Sequence, residues 1–194
     1  MGSAKKPSNA PLHRDATSTR RWAPVTIAKG VAFFCAMALL FSAILLSSQK
    51  WVRILDDANL VFHEAGHVFY GLLGSTLGLY GGTLGQLTFP LIATVTFFFR
   101  RRPVSTAICG VWFFENFLNI ARYMADARAR ALPLVGGGDH DWFTIFARWG
   151  SLASDRKIAK VVEIIGWVGM LSLTAWIVWR FTRDIASRDQ SEVV

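Results

Sequence analysis

The hydrophobic positions of this chain run on in stretches as long as a membrane is thick, without the polar residue every few positions that keeps one face of a soluble helix solvated. Residues 25–47 form the first stretch, which exceeds the roughly 7–15 residue core of a cleavable signal peptide and reads as a retained anchor. The second covers residues 58–80, the third 83–99, the fourth 104–124 and the fifth 160–180. Arg100, Arg101, Arg102 and Pro103 end the third, because such charges do not stay in hydrocarbon and proline disfavours continuing the helix. Trp167, Trp176 and Trp179 suit the fifth as interfacial anchors. The pattern predicts an all-α fold, a multi-pass transmembrane helical bundle of about five spans over residues 25–183. A disordered, basic, cytoplasmic tail is expected at 1–24 and a disordered C-terminal tail at 184–194.

Composition sharpens this picture. Hydrophobic residues make up 53% of the 194 and charged residues only 18%, against about a quarter charged in soluble domains. The formal charge of +8 resides in the N-terminal tail and in short clusters beside the apolar stretches, which is the placement membrane topology requires; it argues against nucleic acid as a partner. Membrane lipid is the partner expected instead. Cys35 and Cys109 both lie in apolar stretches and act as small hydrophobes. The spread of Lys and Arg leans toward a cytoplasmic N-terminus in a plasma (inner) membrane. Strict alternation of five spans nevertheless leaves the arginine triplet outside, so the second or third stretch is a candidate re-entrant segment. The Gly74, Gly78, Gly82 spacing would let another helix approach closely, or leave room for an extended substrate strand.

The second stretch carries His63, Glu64, Ala65, Gly66 and His67. On a helix, residues four apart lie one above the other, so both imidazoles can reach one metal ion while Glu64 stands beside them. A zinc ion with one open position lowers the pKa of water toward ~7 and polarises a carbonyl, and a neighbouring glutamate can act as general base. An acidic residue at the centre of a membrane helix costs about 2.5–3.5 kcal/mol and is kept chiefly where it has a partner or a task. The plainer alternative is a polar cluster that bonds neighbouring helices.

A zinc site needs a third ligand. His140, between Asp139 and Asp141 and preceded by Gly136, Gly137 and Gly138, is the first choice because imidazole suits zinc; Asp141 or Asp139 would ligate or hold the ring. An alternative for this segment is an ordinary loop leading into a helix capped by Asp141. Glu115, Asn119, Arg122 and Asp126 fall on one helical stripe. Asp126 is the second choice for the ligand, whereas Glu115 and Asn119 match the depth of His63 and His67 better in a five-span arrangement. Internal pairing of Arg122 with Asp126 or Glu115 is the structural alternative for the stripe.

The motif from His63 to His67 within a membrane segment resembles the site-2-type intramembrane zinc metalloproteases, which cleave transmembrane or membrane-adjacent peptides. The resemblance implies that His63 and His67 bind zinc and that Glu64 is the catalytic base. That family takes its third ligand from an aspartate in a later span, within an Asn-Pro to Asp-Gly sequence; here Asn116 or Asn119 followed by Asp126 is a partial echo, with Ala127 in the glycine's place. The expectation is a zinc-dependent hydrolase acting by intramembrane proteolysis on a membrane protein or peptide. A non-catalytic scaffold or transport component with a polar pathway is the alternative. A haem or iron oxidoreductase is disfavoured by a total of four histidines, one of them, His13, in the tail.

Overall fold

The computed structural model describes residues 21–47, 50–135 and 139–192. Six α-helices follow one another: α1 (Ile27–Leu46), α2 (Arg53–Gly71), α3 (Ser75–Phe99), α4 (Pro103–Ala125), α5 (Asp141–Arg148) and α6 (Asp155–Glu192), with a short 3-10 turn at Leu152–Ser154 before α6. No strand occurs among the described residues. The chain is a multi-pass transmembrane helical bundle. Helices α1, α3, α4 and α6 contain the four stretches long and apolar enough to cross a membrane. α2 is not among them: Arg53, Asp56, Asp57, Glu64 and its two histidines make it too polar. The expected five spans are therefore four, plus one amphipathic helix that carries the motif.

The boundary between the second and third stretches also moves. The helix break falls at residues 72–74, where Gly74 adopts φ of 120°, a conformation open mainly to glycine. Gly78, Gly81, Gly82 and Gly85 then lie inside α3. Gly66 on α2 packs backbone to backbone on this run, and a Cβ at Gly66 would stand 2.8 Å from Gly85 Cα, while one at Gly81 would stand 2.9 Å from His67 Cα. A side chain at Gly82 would strike the His63 ring. Close approach therefore explains the glycines: Gly66, Gly81 and Gly85 meet backbone to backbone, Gly78 faces Gly71 and Gly82 faces the His63 ring, while Gly74 of the expected spacing meets nothing among the described residues.

α4 is the central helix, with half of its best apolar window buried against 22% in the other three spans. Phe33 and Met37 of α1, Val111 and Leu118 of α4, and Met170 and Ile177 of α6 form one apolar core. A second core, from Ile120 and Met124 of α4, Ala159 of α6 and Trp142, Ile145 and Phe146 of α5, pins the short α5 against the ends of the long helices.

The two ends of the bundle are fixed by polar contacts. At one, Ala23 N–H donates to Arg101 O (2.9 Å) and Val25 N–H to Asp184 Oδ2 (2.9 Å), so the chain entering α1, the α3–α4 turn and the end of α6 meet. At the other, Lys50 pairs with Glu163, and Arg128 Nη2 lies 2.8 Å from Asp155 Oδ1. Order extends past both expected tail boundaries: Trp22 packs edge-on against Phe98 and Trp176, and α6 continues to Glu192, its Asp184 held by the Val25 N–H. Residues 1–20, 48–49, 136–138 and 193–194, with most of the N-terminal tail, the end of the C-terminal one and the glycine triplet, lie outside the described residues.

Candidate metal centre

Four spans instead of five change what can meet. α2 and the segment between α4 and α6 now share one end of the bundle, and the depth mismatch anticipated for the 126–156 loop disappears. His63 Nε2 lies 3.0 Å from Asp141 Oδ2, His67 Nε2 lies 3.1 Å from the same oxygen, and the two Nε2 atoms are 3.1 Å apart. Tetrahedral zinc, bonded at 2.0–2.2 Å to N and O, needs ligand atoms separated by roughly 3.3 Å. The triangle fits that requirement within a few tenths of an ångström. It is the one cluster of three metal-ligating side chains among the described residues.

Proton accounting strengthens the fit. His67 Nδ1 lies 2.8 Å from the carbonyl of Gly78, which can only accept, so the ring's N–H is at Nδ1. His63 Nδ1 lies 3.2 Å from Gln86 Oε1 and is oriented in the same way. When each ring is neutral its one N–H lies at Nδ1 and both Nε2 atoms present lone pairs toward each other and toward the Asp141 carboxylate; in the metal-free site a proton takes that place, and hydrogen bonding to Asp141 pushes the His67 pKa up to about 9. Three acceptors converging at about 3 Å repel unless a cation, either a proton or a metal, lies among them. Metal-binding histidines commonly donate their other nitrogen to a carbonyl in this way, which fixes ring and tautomer.

Asp141 is the first residue of α5, where an ionised carboxylate also meets the positive end of the helix. Burial pushes its carboxyl up, but in the metal-free site the imidazole protons that His63 and His67 present to it outweigh this and hold it below the ordinary carboxylate range. Its N–H donates to Tyr123 Oη at 3.2 Å, and that phenol stacks on the His140 ring with centroids 4.1 Å apart.

His140, the expected third ligand, faces elsewhere. It is the N-cap of α5, its Nδ1 accepting the Phe143 N–H at 3.2 Å, and its Nε2 lies 3.4 Å from Asp126 Oδ2. Burial lowers its pKa, which suits an accepting, neutral ring. The cap is therefore His140, not Asp141, and the one-residue shift delivers the carboxylate to the metal triangle. Asp126 closes the turn after α4, accepting the N–H groups of Ala131 and Leu132 at 3.0 Å each. Asp139 is exposed at the cavity rim. Glu115 and Asn119 bind α2 rather than metal: Asn59 Nδ2 donates to Glu115 Oε2 (2.9 Å), and Asn119 Nδ2 to Asp56 Oδ1 (2.6 Å).

Glu64 lines a cavity of about 810 Å³ together with His63, His67 and Asp141. It is half-buried and makes no hydrogen bond or ion pair among the described residues, so its carboxylate is open to whatever enters. A tetrahedral metal held by the three protein donors would keep one position open for water. Sequence reading passed over Gln86, Tyr123 and the Gly78 carbonyl. Gln86 had a signal, being the single amide side chain of an otherwise apolar and hydroxylic α3; a backbone carbonyl has none.

No family model matches the chain, no curated protein matches its sequence, and no solved structure matches its fold. The site must be read from its own geometry.

Proposed function

We propose that this protein is a membrane-embedded zinc-dependent hydrolase, a peptidase acting on peptide bonds in or near the bilayer. The observation that carries the reading is the convergence of His63 Nε2, His67 Nε2 and Asp141 Oδ2 on one point that opens on the same cavity as Glu64. Zinc held there would supply Lewis acidity and lower the pKa of water toward ~7. Glu64 would take the proton of the attacking water and pass it to the leaving amine. Gln86 and the Gly78 carbonyl keep both imidazoles in the ligating tautomer, and Tyr123 holds the backbone of Asp141. Leu60, Leu79, Leu132 and Leu134 give the cavity apolar walls suited to a hydrophobic peptide. Arg101 shares the end of the bundle at which residues 23–25 lead into α1, and the positive charge of Arg100, Arg101 and Arg102 there supports that end being cytoplasmic, in the plasma membrane we propose for the chain.

The test is hydrolysis of quenched fluorescent transmembrane peptides in proteoliposomes. Glu64→Gln should abolish cleavage and leave bound zinc unchanged; cleavage that survives the substitution contradicts the role given to Glu64.

One observation favours a second reading, a transport or scaffold component. Glu115 Oε1 and Asn116 Oδ1 are buried without partners among the described residues, as the groups of a proton or ion path would be. That reading requires no stoichiometric zinc, and Glu115→Gln would stop transport.

A further inference from the structure

Arg122 stands on α4 one residue before Tyr123 and lines the same cavity as Glu64, His63 and His67. Its guanidinium carbon sits 4.0 Å from the ring centroid of Trp51. Stacking of this kind fixes the plane of the guanidinium and leaves its N–H groups unused. Asp56, Asp126 and Glu115 are its charged neighbours. None of their oxygens bonds to it: Asp56 takes the Asn119 amide and the Val52 N–H, Asp126 takes Ala131 and Leu132, Glu115 Oε2 takes Asn59, and Glu115 Oε1 has no partner among the described residues. Arg122 accordingly appears in none of the ion pairs among the described residues, and its Nε is buried with no hydrogen-bond partner there.

A guanidinium carries five donors in a fixed fork, and leaving them unmatched away from water is costly. The fork is pre-oriented, opens on a cavity with apolar walls, and is the one Lys or Arg among the residues lining it. A planar monoanion answers it: a carboxylate accepts two parallel N–H bonds from one guanidinium, whereas anionic lipid headgroups are usually gathered by several basic residues. We infer that Arg122 is a substrate-anchoring residue and that the cavity takes an apolar peptide carrying a carboxylate, either an acidic side chain or a free C-terminus, away from the bond to be cut. The inference rests on the peptidase reading for its choice of a peptide, and its test needs no cleavage.

The experiment measures binding of tripeptides bearing an uncharged dye to the detergent-purified full chain by fluorescence anisotropy. The probes are acetyl-Leu-Leu-Glu-amide against its Gln counterpart, and acetyl-Leu-Leu-Leu with a free C-terminus against its amide. At least one carboxylate probe should bind about tenfold or more tightly than its neutral counterpart in both the wild type and Glu64→Gln. Whichever pair shows the preference identifies the source of the carboxylate. Arg122→Gln should abolish the preference with zinc content unchanged, and Arg122→Lys should retain part of it. Equal binding of acid and neutral probes in the wild type overturns the inference, as does a preference that survives in Arg122→Gln. Arg122-dependent binding of short-chain phosphatidate without any peptide preference also overturns it, in favour of lipid. A carboxylate preference in a protein that holds no zinc and cuts nothing would sustain the anchoring role of Arg122 and remove the hydrolase reading instead.

Discussion

Two buried polar clusters lie along α2, and they differ in how their donors and acceptors match. Near its start, Asp56 and Asn59 meet Asn119, Glu115 and Trp112 of α4: Trp112 Nε1 donates to Asn59 Oδ1 at 2.8 Å, and Asn59 donates onward to Glu115. Most groups there have the partner they need, and the cluster binds one helix to another. One and two turns later, His63 and His67 face Asp141 with lone pairs on all three sides. Both clusters are polar groups removed from water; the first spreads its groups over pairwise bonds and leaves Glu115 Oε1 unpartnered among the described residues, whereas the second brings three potential ligand atoms to one point. A candidate metal site in a membrane protein is thus marked by ligand atoms converging on one point, more than by polarity.

Breaking the second cluster should have the largest effect. His67→Ala and Asp141→Ala each remove one of three ligands and should each cost the protein its stoichiometric zinc, read by elemental analysis. Gln86→Leu leaves the three ligands and removes the partner of His63 Nδ1; a loss of roughly 10–100-fold in zinc affinity is expected, measured by chelator competition. Hydrogen bonding to Asp141 raises the His67 pKa to about 9 in the metal-free site, so protons compete with zinc below that pH and zinc affinity should fall progressively as the pH is lowered.

The first cluster should respond in stability and not in metal. Asn59→Ala leaves Glu115 Oε2 and Trp112 Nε1 without their partner, at about 1–3 kcal/mol for each buried group, and should lower the denaturation midpoint while zinc stays bound. Smallest is His140→Ala, which removes a helix cap and should cost about 1 kcal/mol with the metal retained. Loss of zinc in Asn59→Ala would merge the two clusters into one and remove the distinction drawn here.

The contrast also shows where sequence reading succeeds. Apolar runs report the helices directly, because hydrocarbon tolerates few charges, and the bundle was legible from them. The pairing of His63 with His67 was equally legible, since an interval of four residues sets two side chains on one helical face. The number of crossings was not, because α2 is apolar enough to resemble a span and polar enough not to be one. That one difference moved the segment holding His140 and Asp141 to the end of the bundle where His63 and His67 lie. The third member of the triangle was then decided by a cap: His140 accepts from Phe143 and turns from the site, and the next residue turns in. Residue chemistry favours histidine for zinc, and only the backbone direction at the start of α5 reverses the preference.

The most direct test is zinc per chain in detergent-purified protein under non-chelating conditions, for the wild type, Asp141→Ala and His140→Ala. The account predicts one zinc in the wild type, none in Asp141→Ala and one in His140→Ala. Zinc retained without Asp141 but lost without His140 would contradict the triangle described here, and a wild type that binds none would contradict the metal centre altogether.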